Sequence, residues 1–244
     1  MATWQEASLV EKRPETTSAA TLAFATDPWP GHRAGQHVDV RLTAEDGYQA
    51  ERSYSIASPP EDSRLALTVE RLNEGEVSPY LVDEMEAGDV LELRGPIGGW
   101  FVWDPSDGGP LLLIGGGSGV VPLMAMLRHR ARLGDETPAR LLLSARTIDD
   151  VFYADELREL AGRGDGFELR TTLTRQTPPD WDGYDRRVDR EMLAEVAWAP
   201  DERPRVYVCG PTAFVEAASG GLVDLGHDPG LIKTERFGPT GGTG

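Results

Sequence analysis

The sequence is poor in cysteine and has no long apolar run. Cys209 is the one cysteine in 244 residues. This excludes an internal disulfide, and also a zinc ribbon or an iron–sulfur cluster held by four thiolates of this chain. No apolar stretch approaches the roughly 18 residues that a membrane helix needs. The first twenty residues are polar, unlike a secretion signal. We therefore expect a cytoplasmic protein that does not span a membrane.

Basic residues are scarce as well. There are 24 Lys and Arg against 41 Asp and Glu, a formal net charge of −17, and only Lys12 and Lys233 are lysines. A chain this acidic repels nucleic acid, so we expect no nucleic-acid partner. A hydrophobic fraction of 39% and a charged fraction of 27% are typical of a folded protein with one or two domains.

The first hundred residues alternate between apolar and polar positions. The alternation is clear in 37–42 and 64–72 and weaker in 90–94, and glycine and proline separate these segments. A period of two indicates strands with one buried face, as in antiparallel sheets. We predict a small antiparallel barrel or sandwich in this half of the chain.

The pattern changes after the turn-rich stretch at 104–110. Short solid apolar runs follow at 111–114, 141–143 and 206–208, and they alternate with predicted helices over 122–133, 154–161 and 190–197. In the first of these helices, Leu123, Met126 and Leu127 should lie on one side. Solid runs suit strands covered on both faces, so this half predicts a parallel α/β sheet. We place a domain boundary near residue 106.

A glycine-rich turn follows the first solid run, in the sequence LLLIGGGSGVVP. Glycines allow a sharp turn close to a phosphate, and the helix that follows presents free N–H groups to an anion. The spacing of Gly117, Gly119 and Pro122 is G-x-G-x-x-P, and no Walker lysine follows. We predict that Gly116, Gly117, Ser118 and Gly119 bind a nucleotide pyrophosphate; a turn that merely connects strand to helix is the alternative.

The end of the next strand bears on which nicotinamide nucleotide binds. An acidic residue there favours NAD, whereas an arginine accommodates the 2′-phosphate of NADP. Here Ser144 and Arg146 hold that place. They favour NADP, although Asp149 and Asp150 follow and keep NAD open. An ordinary surface arginine is the alternative for Arg146.

Three motifs in order give a family resemblance: RSYS at 52–55, the glycine-rich turn, and Cys209-Gly210-Pro211 after a buried strand. From about Gly35 to the C-terminus the chain resembles the ferredoxin–NADP reductase family. The resemblance implies a six-stranded antiparallel β-barrel that binds flavin at 1–106 and a Rossmann-like NAD(P)-binding α/β domain at 107–244. No fused ferredoxin module with closely spaced cysteines is present, so the electron acceptor is expected to be a separate molecule.

The resemblance also implies which residues contact FAD. Arg52 would pair with a flavin phosphate, Tyr54 would lie against the isoalloxazine ring, and Ser55 would lie near flavin N5. A second flavin segment would begin a helix that runs toward Leu81. The implied flavin set also includes Ser53, Val69, Gly75, Val77 and Ser78. Tyr54 as barrel core and Ser78 as a helix cap are the alternatives.

In the second domain the resemblance implies a site for the nicotinamide. Cys209 would sit beside nicotinamide C4 in a positioning role, followed by Gly210 and Pro211, with Thr212 near the pyrophosphate. A small buried apolar residue is the alternative for Cys209. Glu235 would approach the flavin edge, with Phe237 on the same final strand. Ser55, Cys209 and Glu235 are thus the implied catalytic residues, and no metal site is expected. The tail at 238–244 is flexible in composition.

These expectations describe an oxidoreductase that takes hydride from NAD(P)H, with NADPH favoured, onto FAD. It would pass electrons to a separate protein such as a ferredoxin, an oxygenase or another metalloenzyme. Two alternatives stay open. One is a reductase of a small acceptor such as free flavin, a quinone or ferric iron. The other is a non-catalytic nucleotide-sensing subunit.

Overall fold

A computed structural model describes residues 3–237, and the tail at 238–244 lies outside the described residues. The chain divides into two compact units. The first runs to Asp104 and takes in Met124–Leu133, and the second holds Pro105–Leu123 and the chain from Gly134 onward. The domain limits of 1–106 and 107–244 stay a prediction.

The first unit is built on a six-stranded antiparallel sheet in the order β4-β3-β6-β1-β2-β5. An antiparallel bridge between Ile56 and Leu67 joins the end of β4 to β5 and closes the barrel. The strands are β1 (Trp4–Thr16), β2 (Ala19–Ala25), β3 (His37–Thr43), β4 (Gln49–Ser55), β5 (Leu65–Glu70) and β6 (Val90–Ile97). The predicted six-stranded antiparallel barrel is confirmed.

The barrel core comes from the alternation seen in the sequence. Val38 and Val40 of β3 and Leu67 of β5 are fully buried, as are Leu22 and Phe24 of β2. Strands β1 and β2 were not predicted. The sequence of β1 does not alternate cleanly because its register shifts twice against β2, and such irregularities move side chains off a strict period of two.

The second unit holds a five-stranded parallel sheet in the order β11-β10-β7-β8-β9. Its strands are β7 (Leu111–Gly116), β8 (Ala139–Ala145), β9 (Phe167–Leu173), β10 (Arg205–Pro211) and β11 (Ile232–Phe237). Every residue of β7 is buried, as its solid apolar run predicts. The chain builds β8 and β9 on one side of β7 and then β10 and β11 on the other, so the strand order reverses between β7 and β10. Open α/β sheets bind ligands at such a reversal, outside the carboxyl ends of the strands.

Four helices complete the second half of the chain: α1 (Val120–Arg132), α2 (Ala154–Ala161), α3 (Arg190–Val196) and α4 (Thr212–Asp224). Short helical turns occur at Tyr80–Glu84, Pro105–Asp107, Gly117–Gly119, Ile148–Asp150, Pro200–Glu202 and Pro229–Leu231. None of the helices in residues 3–237 is long and apolar enough to cross a membrane.

Helix α1 differs from its prediction. It begins two residues before Pro122, and all residues over 120–127 are buried, whereas the sequence predicted one apolar side. A helix that is apolar all round is a buried helix, and the run VVPLMAML has this composition.

Phe24 tests how far the first unit depends on its barrel core. Phe24→Ala removes a ring that is 0% exposed and should lower the free energy of unfolding by about 3–5 kcal/mol. Val90→Ala is the control, because Val90 is 52% exposed and should change it by less than about 0.5 kcal/mol. Urea unfolding followed by circular dichroism measures both, and equal effects would contradict the assigned core.

Candidate functional site

The carboxyl ends of β7, β10 and β11 bring together residues predicted for the nicotinamide, for its pyrophosphate and for the flavin edge. Cys209 of β10 lies in register with Gly115 of β7 on one side and with Glu235 of β11 on the other. The glycine-rich turn follows directly after β7 and leads into α1. The predicted turn, the cysteine and the glutamate therefore lie at one edge of the sheet, where its strand order reverses.

Two glycines of the turn are required for different reasons. Gly117 has a φ of +56°, a left-handed conformation that residues with a Cβ rarely adopt, although a Cβ there would meet open space. Gly119 is required for steric reasons, because a Cβ there would overlap the carbonyl oxygen of Cys209 and lie 2.8 Å from the nitrogen of Gly210. The turn can pass the end of β10 only without a side chain at 119.

Phe214 of α4 is a part of this edge that the sequence analysis missed. A Cβ on Gly116 would come within 2.9 Å of the Phe214 ring, and one on Gly210 within 2.7 Å. The ring thus occupies the space that these glycines leave free. Two other predicted residues are exposed here, namely Thr212, which begins α4, and Phe237, which ends β11.

Cys209 and Glu235 are both shifted toward their neutral forms. Cys209 is 2% exposed; burial raises the pKa of its thiol, and the nearby carboxylate of Glu235 raises it further. A thiol in this state is a compact neutral group and a poor nucleophile. Burial also raises the pKa of Glu235 to about 7, so its carboxyl group can carry a proton near neutral pH.

Arg146 lies at the end of β8, exposed to solvent. The backbone N–H of Arg175, just past β9, donates to the carbonyl of Arg146 at 2.9 Å. The two arginines therefore follow neighbouring strands, and within residues 3–237 neither side chain has an ion-pair partner. Arg175 was missed because β9, the strand that it follows, is not among the strands predicted from the sequence.

Asp150 is one of the two acids that keep NAD open, and it already has hydrogen-bond partners within its own turn. Its carboxylate accepts hydrogen bonds from the backbone N–H of Thr147 at 3.0 Å and from the Thr147 hydroxyl at 2.8 Å. The group therefore caps the short helical turn at Ile148–Asp150. These two hydrogen bonds engage Oδ2 of the carboxylate.

The predicted flavin residues lie in the first unit, most of them on β4. The guanidinium of Arg52 is exposed; it donates to the carbonyl of Glu51 at 2.7 Å and lies 3.7 Å from the carboxylate of Glu76. Tyr54 is half-buried against the barrel core, and burial raises the pKa of its phenol. Ser55 ends the strand and is half-buried. An exposed arginine and a neutral aromatic ring suit a phosphate and a planar ring.

Ser53 points to the other face of β4. Its hydroxyl donates to Asp39 at 2.6 Å, and the same carboxylate binds Arg94 at 2.6 Å. Val69 and Val77 are fully buried in the barrel core. Ser53 thus has a hydrogen-bond partner in the barrel, and the two valines pack in its core. The predicted flavin contacts of all three residues stay predictions.

The second flavin segment is a tight turn that leads into a short helical turn. The Ser78 hydroxyl accepts from the N–H of Leu72 at 3.0 Å, and the N–H of Gly75 donates to the carbonyl of Leu72 at 2.9 Å. Within the described part of the chain, the N–H groups of Glu76, Val77 and Ser78 donate to no acceptor. Unsatisfied backbone donors beside an exposed arginine fit the phosphate of a flavin nucleotide.

Two family models match the chain. The one described as an oxidoreductase FAD-binding domain matches residues 6–102, and the one described as an oxidoreductase NAD-binding domain matches residues 113–220. The first match covers the six strands of the antiparallel sheet almost entirely, and the second covers the glycine-rich turn, Arg146 and Cys209 but ends before β11.

Several proteins of known name are similar to this chain over nearly its whole length. Ferredoxin--NADP reductase B of Sorangium cellulosum is 37% identical over 95% of this chain and 97% of its own length. The glycine betaine monooxygenase reductase subunit of Pseudomonas aeruginosa is 33% identical over 93% of this chain, which spans 62% of that relative's length. The crystal structure of the Amycolatopsis cytochrome P450 reductase GcoB matches with a TM-score of 0.84 and 28% identity, over 98% of this chain and 71% of that one. The chain therefore belongs to the ferredoxin–NADP reductase family, whose members are FAD- and NAD(P)-dependent oxidoreductases.

Proposed function

We propose that this oxidoreductase takes hydride from NADPH onto FAD and passes the electrons to a separate acceptor protein. The observation that carries the preference for NADPH is the pair Arg146 and Arg175. The two arginines follow neighbouring strand ends, and a 2′-phosphate is the anion that such a pair of guanidinium groups would recognise.

In the first unit, FAD would be held by the face of β4 and the turn that follows β5. Arg52 and the free N–H groups of 76–78 would bind phosphate oxygens, and the Tyr54 ring would support the isoalloxazine. When bound, the flavin supplies the ability to accept a hydride and to release electrons one at a time. Val69 and Val77 support this site from the core behind it.

In the second unit, the glycine-rich turn would bind the pyrophosphate of NADPH at the start of α1. Cys209 would offer the nicotinamide a small neutral surface, because its buried thiol keeps its own proton. Glu235 is suited to hold a proton on its carboxyl group near pH 7, next to Cys209 in the sheet. Thr212 and Phe237 are exposed at the same edge and would contact the nucleotides.

The acceptor is proposed to be a protein. One relative is named for reduction of ferredoxin and another as the reductase subunit of a monooxygenase, which supports a ferredoxin or an oxygenase component. A net charge of −17 disfavours an acidic partner at long range, but salt screens charges beyond about 8–10 Å, so local contacts would decide docking.

Arg146→Glu tests the choice of nucleotide. The variant should raise KM for NADPH at least tenfold, because it replaces a charge-assisted phosphate contact by a repulsion, and it should change KM for NADH by less than about threefold. Steady-state reduction of ferricyanide with each nucleotide measures both values. Arg163→Glu is the control, since Arg163 pairs with Glu159 on the surface of α2. Equal loss with NADPH and NADH would contradict the assignment.

Gly119→Ala tests the role of the close approach at β10. The added methyl group should displace the turn from Cys209, and affinity for NADPH should fall at least tenfold while bound FAD stays at the wild-type level. Gly220→Ala is the control, because a Cβ at this position of α4 meets open space. Equilibrium binding of NADP⁺ and flavin content measure the two sites, and wild-type binding of NADP⁺ by Gly119→Ala would rule out the turn as its site.

Glu235 should give the protein a pH-dependent stability. Its pKa is about 7 in the folded chain against an ordinary 4.5, so the folded state binds more protons than the unfolded state between these values. Stability is therefore lost as pH rises from 4.5 through 7. Glu235→Gln lacks this titration, so its stability relative to the wild type should increase from pH 5 to pH 8 in thermal unfolding. Glu136→Gln, on an exposed loop, is the control, and parallel profiles for Glu235→Gln and the wild type would refute the shift.

A further inference from the structure

An exposed tyrosine stands at the start of β4, in the turn between β3 and β4. Tyr48 is 56% exposed, yet its backbone is well fixed. Its N–H donates to Asp46 at 3.0 Å, its carbonyl accepts from Ala44 at 2.9 Å, and Gly47 makes the turn with a φ of +87°. The ring is therefore a flat, solvent-exposed surface that projects from a hydrogen-bonded turn.

The tyrosine is linked to Arg52 through a single carboxylate. The Tyr48 hydroxyl donates to Oε1 of Glu76 at 3.0 Å, and Oε2 of Glu76 lies 3.7 Å from Nη2 of Arg52. The hydrogen bond to Glu76 raises the pKa of the Tyr48 phenol, which keeps the hydroxyl as a donor. Leu72, on the same turn as Glu76, is 59% exposed and adds an apolar surface there.

The order of these side chains along the strand matches the order of the parts of FAD. In an extended chain, residues two apart share a face, so Tyr48, Arg52 and Tyr54 lie on one side with the small Ala50 between them. Tyr54 is the proposed support for the isoalloxazine and Arg52 the proposed phosphate ligand. At the strand rise per residue, the backbone of Tyr48 lies roughly 13 Å from that of Arg52, on the side away from Tyr54, while both side chains reach the Glu76 carboxylate.

We propose that Tyr48, with Glu76 and Leu72, forms the subsite for the adenosine half of the flavin and selects FAD over FMN. The inference rests on the proposed role of Arg52 as the phosphate ligand. The adenine stacks on the Tyr48 ring with Leu72 at its edge, as bases stack on exposed aromatic side chains elsewhere. The Glu76 carboxylate holds the ring and Arg52 in place and has lone pairs left to accept from the ribose hydroxyls. FMN ends at its phosphate and gains nothing from this subsite.

The experiment measures the ratio of FAD to FMN bound by the full chain. Each purified variant is equilibrated with an excess of both flavins at equal concentration, freed of unbound flavin and heated, and the released flavins are separated and quantified. The ratio depends only on protein that has folded and bound flavin. Tyr48→Ala should lower the FAD:FMN ratio about tenfold, which corresponds to about 1.4 kcal/mol. Tyr48→Phe keeps the ring and should stay within about threefold of the wild type.

Further variants separate the subsite from the phosphate site. Arg52→Ala should lower the bound amounts of both flavins by similar factors, whereas Glu76→Ala should lower the FAD:FMN ratio about threefold. Leu133→Ala removes another exposed apolar side chain and should match the wild type. An unchanged ratio in Tyr48→Ala would overturn the adenosine subsite while the proposed function stands. Wild-type binding of both flavins by Arg52→Ala would instead overturn the phosphate role of Arg52 in the proposed function.

Discussion

The close approach of the turn after β7 to the end of β10 is the constraint on which the candidate site depends. Gly119 lies so near the backbone of Cys209 and Gly210 that no side chain fits between them. This contact sets the start of α1 beside the reversal in strand order. It also places the turn next to Cys209, and through the sheet register next to Glu235. The proposed phosphate site, the neutral thiol and the protonatable carboxyl group thus lie together at this edge of the sheet.

Much of the fold and part of the site could be predicted because they depend on local pattern. The alternation in 37–42 and the solid run before Gly115 report which faces of a strand are buried, and the glycine-rich turn is a continuous motif. Strands β1 and β2 could not be predicted, since β1 changes register and its burial depends on partners distant in sequence. The neighbours of Arg146 and Arg52 were missed for the same reason. Arg175 and Glu76 reach them only after strands and turns far apart in the chain have come together.

Charge distribution explains how an acidic chain can recognise two anionic nucleotides. Many arginines are occupied by carboxylates, as Arg41 is by Glu92 and Arg94 by Asp39. Among the described residues, Arg146 and Arg175 have no such partner and remain available to an anion. Arg52 is only partly neutralised, because its ion pair with Glu76 at 3.7 Å is exposed and weak. The net charge of −17 therefore describes the whole surface, while the nucleotides would meet a few uncompensated guanidinium groups.

The central claim is that this chain passes a hydride from NADPH to a flavin that it binds itself. The most direct measurement is the visible absorbance of the purified protein during anaerobic titration with NADPH. The flavin band should be present as purified or after reconstitution with FAD, and about one equivalent of NADPH should bleach it. A protein that stays colourless after incubation with FAD, or a bound flavin that NADPH leaves oxidised, would contradict the claim.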